Sequence, residues 1–365
     1  MADRQSAEVL VYVGTYTNDK SEGIYIYRLD PSSGDLTFVS KTAGVENPFF
    51  LAIDSGQQHL YAANVVETCE GQPGGGVSAF AIDPKTGGLT FLNQQPARGT
   101  VPCYLSIDRT GRYVLVANYG TGSVAVLPIR ADGQVGPATD VVQHEGSSVN
   151  KERQEGPHVH GVVLDPASRY AFAADLGTDK VMIYAFDSTQ GKLRPNEQPF
   201  AQVQAGAGPR HFAFHPNGQY GYLINELDNT FTVFAYDAAR GTLKEVQTLS
   251  TLPGDFTGES YCADVQVHSS GRFLYGSNRG HDSIAIFAID EATGRLTPAG
   301  HEPTQGHFPW NLAIDPTGTF LLVANQRGDS VVVFRIDPKT GGLQATGHVT
   351  QVPKPVCIKM TQRSS

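Results

Sequence analysis

The fold of this protein can be inferred from residues 209–237, which read PRHFAFHPNGQYGYLINELDNTFTVFAYD. It holds an apolar run, a Pro/Gly turn, a second run that ends in Asn, a short loop and a third run. Each run is short, rich in Val, Ile, Phe and Tyr, and has no helical period, so each is predicted to be a β-strand. The stretch therefore indicates antiparallel strands joined by tight turns.

Further copies of this unit lie along the chain. They open at Pro48, Pro102, Pro157, Tyr261 and Pro309. The spacing of roughly 50 residues is typical of the blades of a β-propeller. The segments DPKTGG, DSTQGK, DAARGT and DEATGR are predicted hairpin turns that lead into a fourth strand. We therefore predict an all-β propeller with four antiparallel strands per blade, because such sheets bury both faces by packing around a common axis.

The two ends of the chain complete the count of blades. Residues 355–360 (PVCIKM) are predicted to form the innermost strand of a seventh blade, and residues 9–17 and 23–39 supply its other three strands. We expect one domain over residues 1–365, with the ordered repeat at about 9–361. Pairing of the N- and C-terminal strands would close the ring, so loss of the C-terminal strand should destabilise all of it.

Composition excludes several classes of protein. Lys and Arg total 27 against 36 Asp and Glu, a net charge of -9, and no basic stripe is present to bind nucleic acid. Residues 1–8 are polar, and no stretch approaches the roughly 18 apolar residues of a membrane span. We therefore expect a cytoplasmic protein without a membrane partner, either a monomer or a weak homo-oligomer.

One face of the predicted disc is expected to carry the function. Strand order places the long connections 65–76, 140–156 and 250–260 on the face opposite the DPxxG hairpins. Long loops on a rigid scaffold commonly carry binding sites. The sequence leaves open whether segment 140–156 covers a ligand.

The repeat also reveals side chains that depart from it. The first position of the innermost strand holds Phe49, Cys103, His160, Arg210, Ala263, Trp310 and Val356 in the seven blades. Of these, only His160 and Arg210 are ionisable, and Glu226 and Arg279 break the pattern that follows the recurring Asn of the second strand. We expect these four residues to form an anion-binding site in one sector of the mouth. The alternative is a pair of buried ion pairs that plug the channel.

Further candidates for substrate binding are His158, Asp175, His211, His281, Asp264 and Gln326. For His211 and Asp264, strand alternation leaves a purely structural position between blades equally open. His158 and His160 share a strand face, but no adjacent third ligand completes a metal site, so neither a metal nor a cofactor is expected. The cysteines, Cys69, Cys103, Cys262 and Cys357, lack a CxxC spacing and are expected to be buried free thiols.

Three segments carry a resemblance to a known family: residues 157–187, 208–237, which include GPRH and NEL, and 271–287 (GRFLYGSNRGHDSIAIF). They resemble the lactonase family of seven-bladed propellers, which includes bacterial 6-phosphogluconolactonases and the fungal carboxy-cis,cis-muconate cycloisomerase. The similarity covers residues 11–360. It places the family's His, Arg, Glu and Arg on His160, Arg210, Glu226 and Arg279, whereas Asp264 stands where Glu is common.

The resemblance implies a hydrolase of carbohydrate metabolism that opens a small acidic sugar lactone, foremost 6-phosphogluconolactone of the pentose phosphate pathway. Glu226, or His160 held by it, would activate water, while one arginine stabilises the oxyanion and the other holds the phosphate. The lack of a GxSxG motif favours direct attack by water. A cycloisomerase that binds carboxylates would use the same four residues. A non-catalytic propeller that binds a protein partner is a third possibility.

Overall fold

A computed structural model of the protein describes residues 8–363. The remaining terminal residues, which include nearly all of the polar N-terminal segment, lie outside the described residues. Every regular element of residues 8–363 is a β-strand. No helix within this range is long and apolar enough to cross a membrane. The predicted all-β fold is confirmed, because the strands form seven four-stranded antiparallel sheets.

The seven sheets are the blades of a propeller. From the innermost strand outward, they are blade I with β4 (Pro48–Ile53), β5 (His59–Asn64), β8 (Gly76–Ile82) and β9 (Leu89–Pro96); blade II with β10 (Pro102–Ile107), β11 (Tyr113–Asn118), β12 (Ser123–Pro128) and β13 (Asp140–Gln143); blade III with β14 (Val159–Leu164), β15 (Tyr170–Asp175), β16 (Lys180–Asp187) and β17 (Lys192–Gln202); blade IV with β18 (Pro209–Phe214), β19 (Tyr220–Asn225), β20 (Thr230–Asp237) and β21 (Thr242–Ser250); blade V with β22 (Tyr261–Val267), β23 (Phe273–Arg279), β24 (Ser283–Ile289) and β25 (Leu296–Pro303); blade VI with β26 (Pro309–Ile314), β27 (Phe320–Asn325), β28 (Ser330–Ile336) and β29 (Leu343–Gln351); and blade VII with β30 (Pro355–Arg363), β1 (Glu8–Thr15), β2 (Gly23–Leu29) and β3 (Leu36–Ala43). A small hairpin of β6 (Thr68–Cys69) and β7 (Gln72–Pro73) lies within the 65–76 connection.

Blade VII joins the two ends of the chain, as predicted. Strand β30 pairs with β1 so that Ile358 lies opposite Val13. Side chains of β30 alternate between neighbouring blades, because Cys357 packs into the apolar cluster of blade I and Ile358 into that of blade VI. The Ile358 N–H also donates to the Asn311 side chain of blade VI at 2.7 Å. The closing strand therefore stabilises two interfaces between blades.

Each innermost strand carries a bulge near its start. The extra residues are Phe49, Cys103, His160, Arg210, Trp310, Val356 and, in blade V, one of Ala263 and Asp264. A bulge leaves one residue outside the ladder and re-aims its side chain. The position that the sequence repeat identified is thus the one that the backbone removes from regular pairing in six of the seven blades.

Two of the long connections are shorter than predicted. Asp140 does not begin a loop but the outermost strand β13, where it pairs with Val126 and its carboxylate accepts the N–H of Leu193 in blade III at 2.7 Å. Likewise, Ser250 is the last residue of β21. The segment before β13 has a shorter turn, with Asp132 and Gly133, than the six-residue hairpin turns of the other blades, and its flanks form only the isolated bridge between Ile129 and Val135. Its sequence therefore does not predict the strand that follows.

Candidate active site

A cavity of about 420 Å³ opens at one mouth of the central channel, within the size range of small-molecule sites. Aromatic and cationic side chains dominate its wall. The lining residues are Tyr16, Phe49, Val101, Cys103, Tyr119, Arg153, His160, Glu226, Tyr261, Arg279, Phe308, Trp310 and Arg327. Three of the four principal candidates are therefore in the wall, and the fourth, Arg210, lies directly behind it.

Glu226 stands at the centre of the site. One carboxylate oxygen, Oε2, accepts from Arg210 Nε at 2.9 Å and from Arg279 Nη2 at 2.8 Å, and the other, Oε1, accepts from Arg153 Nη2 at 2.7 Å. Burial disfavours the charged form, but Arg279 and Arg210 outweigh it and hold the pKa of Glu226 below its usual range. The carboxylate is therefore ionised, and both of its oxygens are occupied.

His160, the bulged residue of β14, faces this carboxylate. Its Nε2 lies 3.9 Å from Glu226 Oε2, and its Nδ1 lies 3.7 Å from the Cys103 sulfur. Burial, with the nearby Arg210 guanidinium, places the pKa of His160 well below its ordinary value. The imidazole is consequently neutral near pH 7, and Nε2 is not engaged in a hydrogen bond with the carboxylate.

The two predicted arginines occupy different environments. Arg210 is completely buried and donates to the Ala263 carbonyl as well as to Glu226, and burial, together with Arg279, lowers its pKa to about 10. Arg279 lines the cavity, donates to the Cys262 carbonyl at 2.9 Å and lies 4.7 Å from the centre of the Trp310 ring. Arg279 therefore faces the cavity, whereas Arg210 supports the carboxylate from behind.

Two further arginines of the wall were not predicted. Arg153 lies in the connection 144–158 between blades II and III, which is longer than the connections between the other blades. Arg327 is the second residue after the recurring Asn of blade VI, whereas the sequence comparison considered only the first, Gln326. Extending that comparison by one position would have found Arg327.

The connection that carries Arg153 is fixed by the buried Asp179. Asp179 Oδ1 accepts from Gln154 Nε2 at 2.8 Å, and Oδ2 accepts from Ser148 Oγ at 2.5 Å. The same carboxylate accepts the N–H groups of Gly206 and Gly208, just before β18, at 2.7 and 2.8 Å. Asp179 thus ties the segment to the start of blade IV and places Arg153 over the site.

His211 and Asp264 join blades IV, V and VI below the cavity. His211 Nδ1 lies 2.8 Å from Asp264 Oδ1, while Asp264 Oδ2 accepts from Asn311 Nδ2 at 2.6 Å and from the Leu312 N–H at 3.0 Å. Neither residue lines the cavity. They occupy the structural position that strand alternation had left open.

The other four candidates also lie outside the wall of the cavity. His158 stacks on Tyr119 with ring centres 4.6 Å apart, and the buried Asp175 accepts from the His158 backbone N–H at 2.8 Å. His281 bonds to the Ser283 hydroxyl at 2.6 Å. Gln326 donates through its backbone to the Phe308 carbonyl. The structure does not bring these four to the site.

Metal ligation and thiol chemistry receive little support from the geometry. Within residues 8–363, no group of three or more His, Cys, Asp or Glu residues is placed to hold a metal ion. All four cysteines are buried and free, as predicted. Burial raises the pKa of the Cys103 thiol, the one beside His160, to about 12. It is therefore protonated and a poor nucleophile.

Fold and site together define a seven-bladed propeller with a cationic pocket at one mouth of its channel. Residues 10–360 match the family model described as "Lactonase, 7-bladed beta-propeller". The chain therefore belongs to the lactonase family of seven-bladed β-propellers, as its resemblance had indicated.

Individual relatives agree with this membership. A 6-phosphogluconolactonase of Bacillus subtilis is 39% identical over 348 residues, which cover 95% of this chain and 97% of the relative. The solved structure of a periplasmic gluconolactonase of Pseudomonas aeruginosa is 36% identical, with a TM-score of 0.91 over 97% of this chain and 99% of that one. A solved protein of Lactobacillus plantarum is 35% identical, with a TM-score of 0.89 over 97% and 99%.

Proposed function

We propose that this protein hydrolyses 6-phosphogluconolactone to 6-phosphogluconate. The observation that carries the proposal is the charge of the cavity, where one carboxylate stands among four guanidinium groups beside a neutral histidine. That excess of positive charge suits a small anionic substrate. The 6-phosphogluconolactonase of Bacillus subtilis, which matches almost the whole chain, supports the same substrate.

His160 is the better general base of the two candidates. Both oxygens of Glu226 already accept hydrogen bonds from guanidinium groups, which makes the carboxylate a weak base. His160 is neutral, and its Nε2 lies 3.9 Å from Glu226 Oε2. A water at about 2.8 Å from each atom would be held by both and aligned for attack. Glu226 then orients that water and stabilises the imidazolium that forms.

The reaction follows from this arrangement. Water attacks the lactone carbonyl carbon and passes a proton to His160 Nε2, while Arg279, which faces the cavity, stabilises the oxyanion. Collapse of the tetrahedral intermediate breaks the bond between the carbonyl carbon and the ring oxygen. The imidazolium then returns its proton to that oxygen, which leaves as a hydroxyl group. Arg210 does not contact substrate in this scheme but holds Glu226 in place.

The remaining parts of the assignment are proposals of the same kind. We propose that residues 1–365 act as one cytoplasmic domain of the pentose phosphate pathway, as a monomer or weak homo-oligomer without a nucleic-acid or membrane partner. A cycloisomerase would use the same four residues to bind carboxylates and move a proton to or from carbon. The lactonase is preferred because relatives over most of the chain carry that name.

The deciding experiment is the hydrolysis of freshly generated 6-phosphogluconolactone, measured above its spontaneous rate. His160→Asn should lower the enzymatic rate by about 100-fold or more, the usual value of general base catalysis. Glu226→Gln should also lower it, because the water and the imidazolium lose the carboxylate that orients and stabilises them. His281→Asn, on the same face but outside the cavity, is the control and should retain wild-type activity. A folded wild type that fails to accelerate hydrolysis would refute the proposal and direct the search to muconates and other carboxylated lactones.

A further inference from the structure

Arg327 differs from the other arginines of the site in what its guanidinium contacts. Arg210 and Arg279 donate to Glu226 and to backbone carbonyls, and Arg153 donates to Glu226. The Arg327 guanidinium donates to no carboxylate or carbonyl within residues 8–363, and it lies over the face of the Phe308 ring, 3.7 Å from its centre. Its hydrogen-bond donors thus line the cavity and are available to a ligand.

Phe308, which supports Arg327, has an unusual backbone. Its φ is 63°, a conformation that a bulky side chain rarely adopts, and it precedes Pro309. The Asp282 carboxylate accepts its N–H at 2.8 Å, and its carbonyl accepts the N–H of Gln326. These two hydrogen bonds hold the strained residue in place.

The positive φ recurs at the equivalent position of other blades, so it belongs to the fold, whereas the side chain at this position differs from blade to blade. The residue before the first proline of a blade also has positive φ at Asn47, Val101, Gly208 and Lys354. Only Phe308 and Val101 of this set line the cavity. A phenylalanine here makes an aromatic platform, and its ring lies beneath Arg327 and 5.3 Å from the Arg279 guanidinium carbon.

We infer that Arg327, held on Phe308, binds the substrate's phosphate and makes the enzyme prefer a phosphorylated sugar lactone over the same lactone without phosphate. This inference rests on the proposed function. Arg279 marks the reacting end of the cavity because it holds Glu226, and Phe308 connects that end to the exposed Arg327. The planar fork of a guanidinium matches phosphate oxygens, and a position at the rim leaves a dianion partly hydrated.

The test compares two substrates on matched variants. Arg327→Gln is measured beside Arg335→Gln, because Arg335 is in the same blade and also lies over a phenylalanine, Phe320, but is outside the cavity. For Arg327→Gln we expect kcat/KM on 6-phosphogluconolactone to fall roughly 10- to 100-fold, the effect of losing one or two charge-assisted hydrogen bonds. Its kcat/KM on glucono-δ-lactone should not change, and Arg335→Gln should alter neither.

Each other outcome has a definite meaning. Equal losses on both lactones, or no loss on the phosphorylated one, would overturn the inference, because Arg327 would then not act on the phosphate. Binding of the product 6-phosphogluconate is measured by calorimetry on the same proteins. A wild type that binds 6-phosphogluconate through Arg327 but hydrolyses neither lactone would refute the proposed function and the substrate preference, and would leave only phosphate binding by Arg327 standing.

Discussion

Removing part of the Ile358 side chain should weaken the whole ring, because this residue joins its closing strand to blade VI. Ile358 is 1% exposed and packs with Val13 and Leu322 in one apolar cluster. Ile358→Ala leaves the backbone pairing of β30 intact but opens a cavity, which costs about 2–5 kcal/mol in a well-packed core. A typical domain is stable by only about 5–15 kcal/mol, so the loss is a large part of the total.

The assay is urea unfolding followed both by far-ultraviolet circular dichroism, which reports all blades, and by the fluorescence of Trp310, the only tryptophan. We expect the two transitions to coincide, with a lower midpoint and an unchanged m-value. Val349→Ala, on the outer strand β29 and 47% exposed, is the control and should cost less than about 1 kcal/mol. A loss at Ile358 no larger than this control, or fraying of blade VII alone, would refute the reasoning.

Two further predictions concern acid stability and the segment above the site. Burial, with Arg210, lowers the pKa of His211 to about 4 from 6.5, so protons favour the unfolded chain and stability falls as the pH drops from 6.5 towards 4. Urea unfolding at pH 7 and pH 5 should differ by about 2 kcal/mol from this residue, and a wild type without this slope would contradict the argument. Asp179→Asn should lower kcat/KM by roughly 10-fold by freeing the segment that carries Arg153. Arg153→Ala added to Asp179→Asn should then cost less than it does alone, and additive losses would show that Asp179 does not act through Arg153.

The sequence predicts the blades well because each blade repeats the same local signals. Strand alternation and Asp/Gly hairpins specify every sheet whose turns follow the pattern. The repeat also predicts His160, Arg210, Glu226 and Arg279, because these residues depart from it at positions that the fold places around one mouth. The repeat does not show how deeply each side chain is buried. Arg210 was therefore expected in the wall of the cavity and instead lies behind it.

The missed features share one physical cause, which is that they depend on contacts between distant parts of the chain. Arg153 reaches Glu226 because the distant Asp179 fastens its segment to the start of blade IV, and the sequence alone does not show that Asp179 lies beside that segment. Strand β13 forms because Asp140 and its neighbours complete the edge of blade II beside blade III. The repeat therefore does not predict those segments of a blade that are held in place by contacts with the next blade.

The charges of the mouth also favour a ligand site over a structural plug. The Arg210–Glu226 contact taken alone is a buried ion pair of the kind that fills a channel, and such pairs are stable when their charges balance. Here the carboxylate of Glu226 also forms ion pairs with Arg279 and Arg153, while His160 is neutral. Positive charge therefore remains uncompensated beside an open cavity. Uncompensated charge in a partly buried site is unfavourable without a partner. A bound anion supplies that partner, which is why the geometry favours a substrate site over a plug.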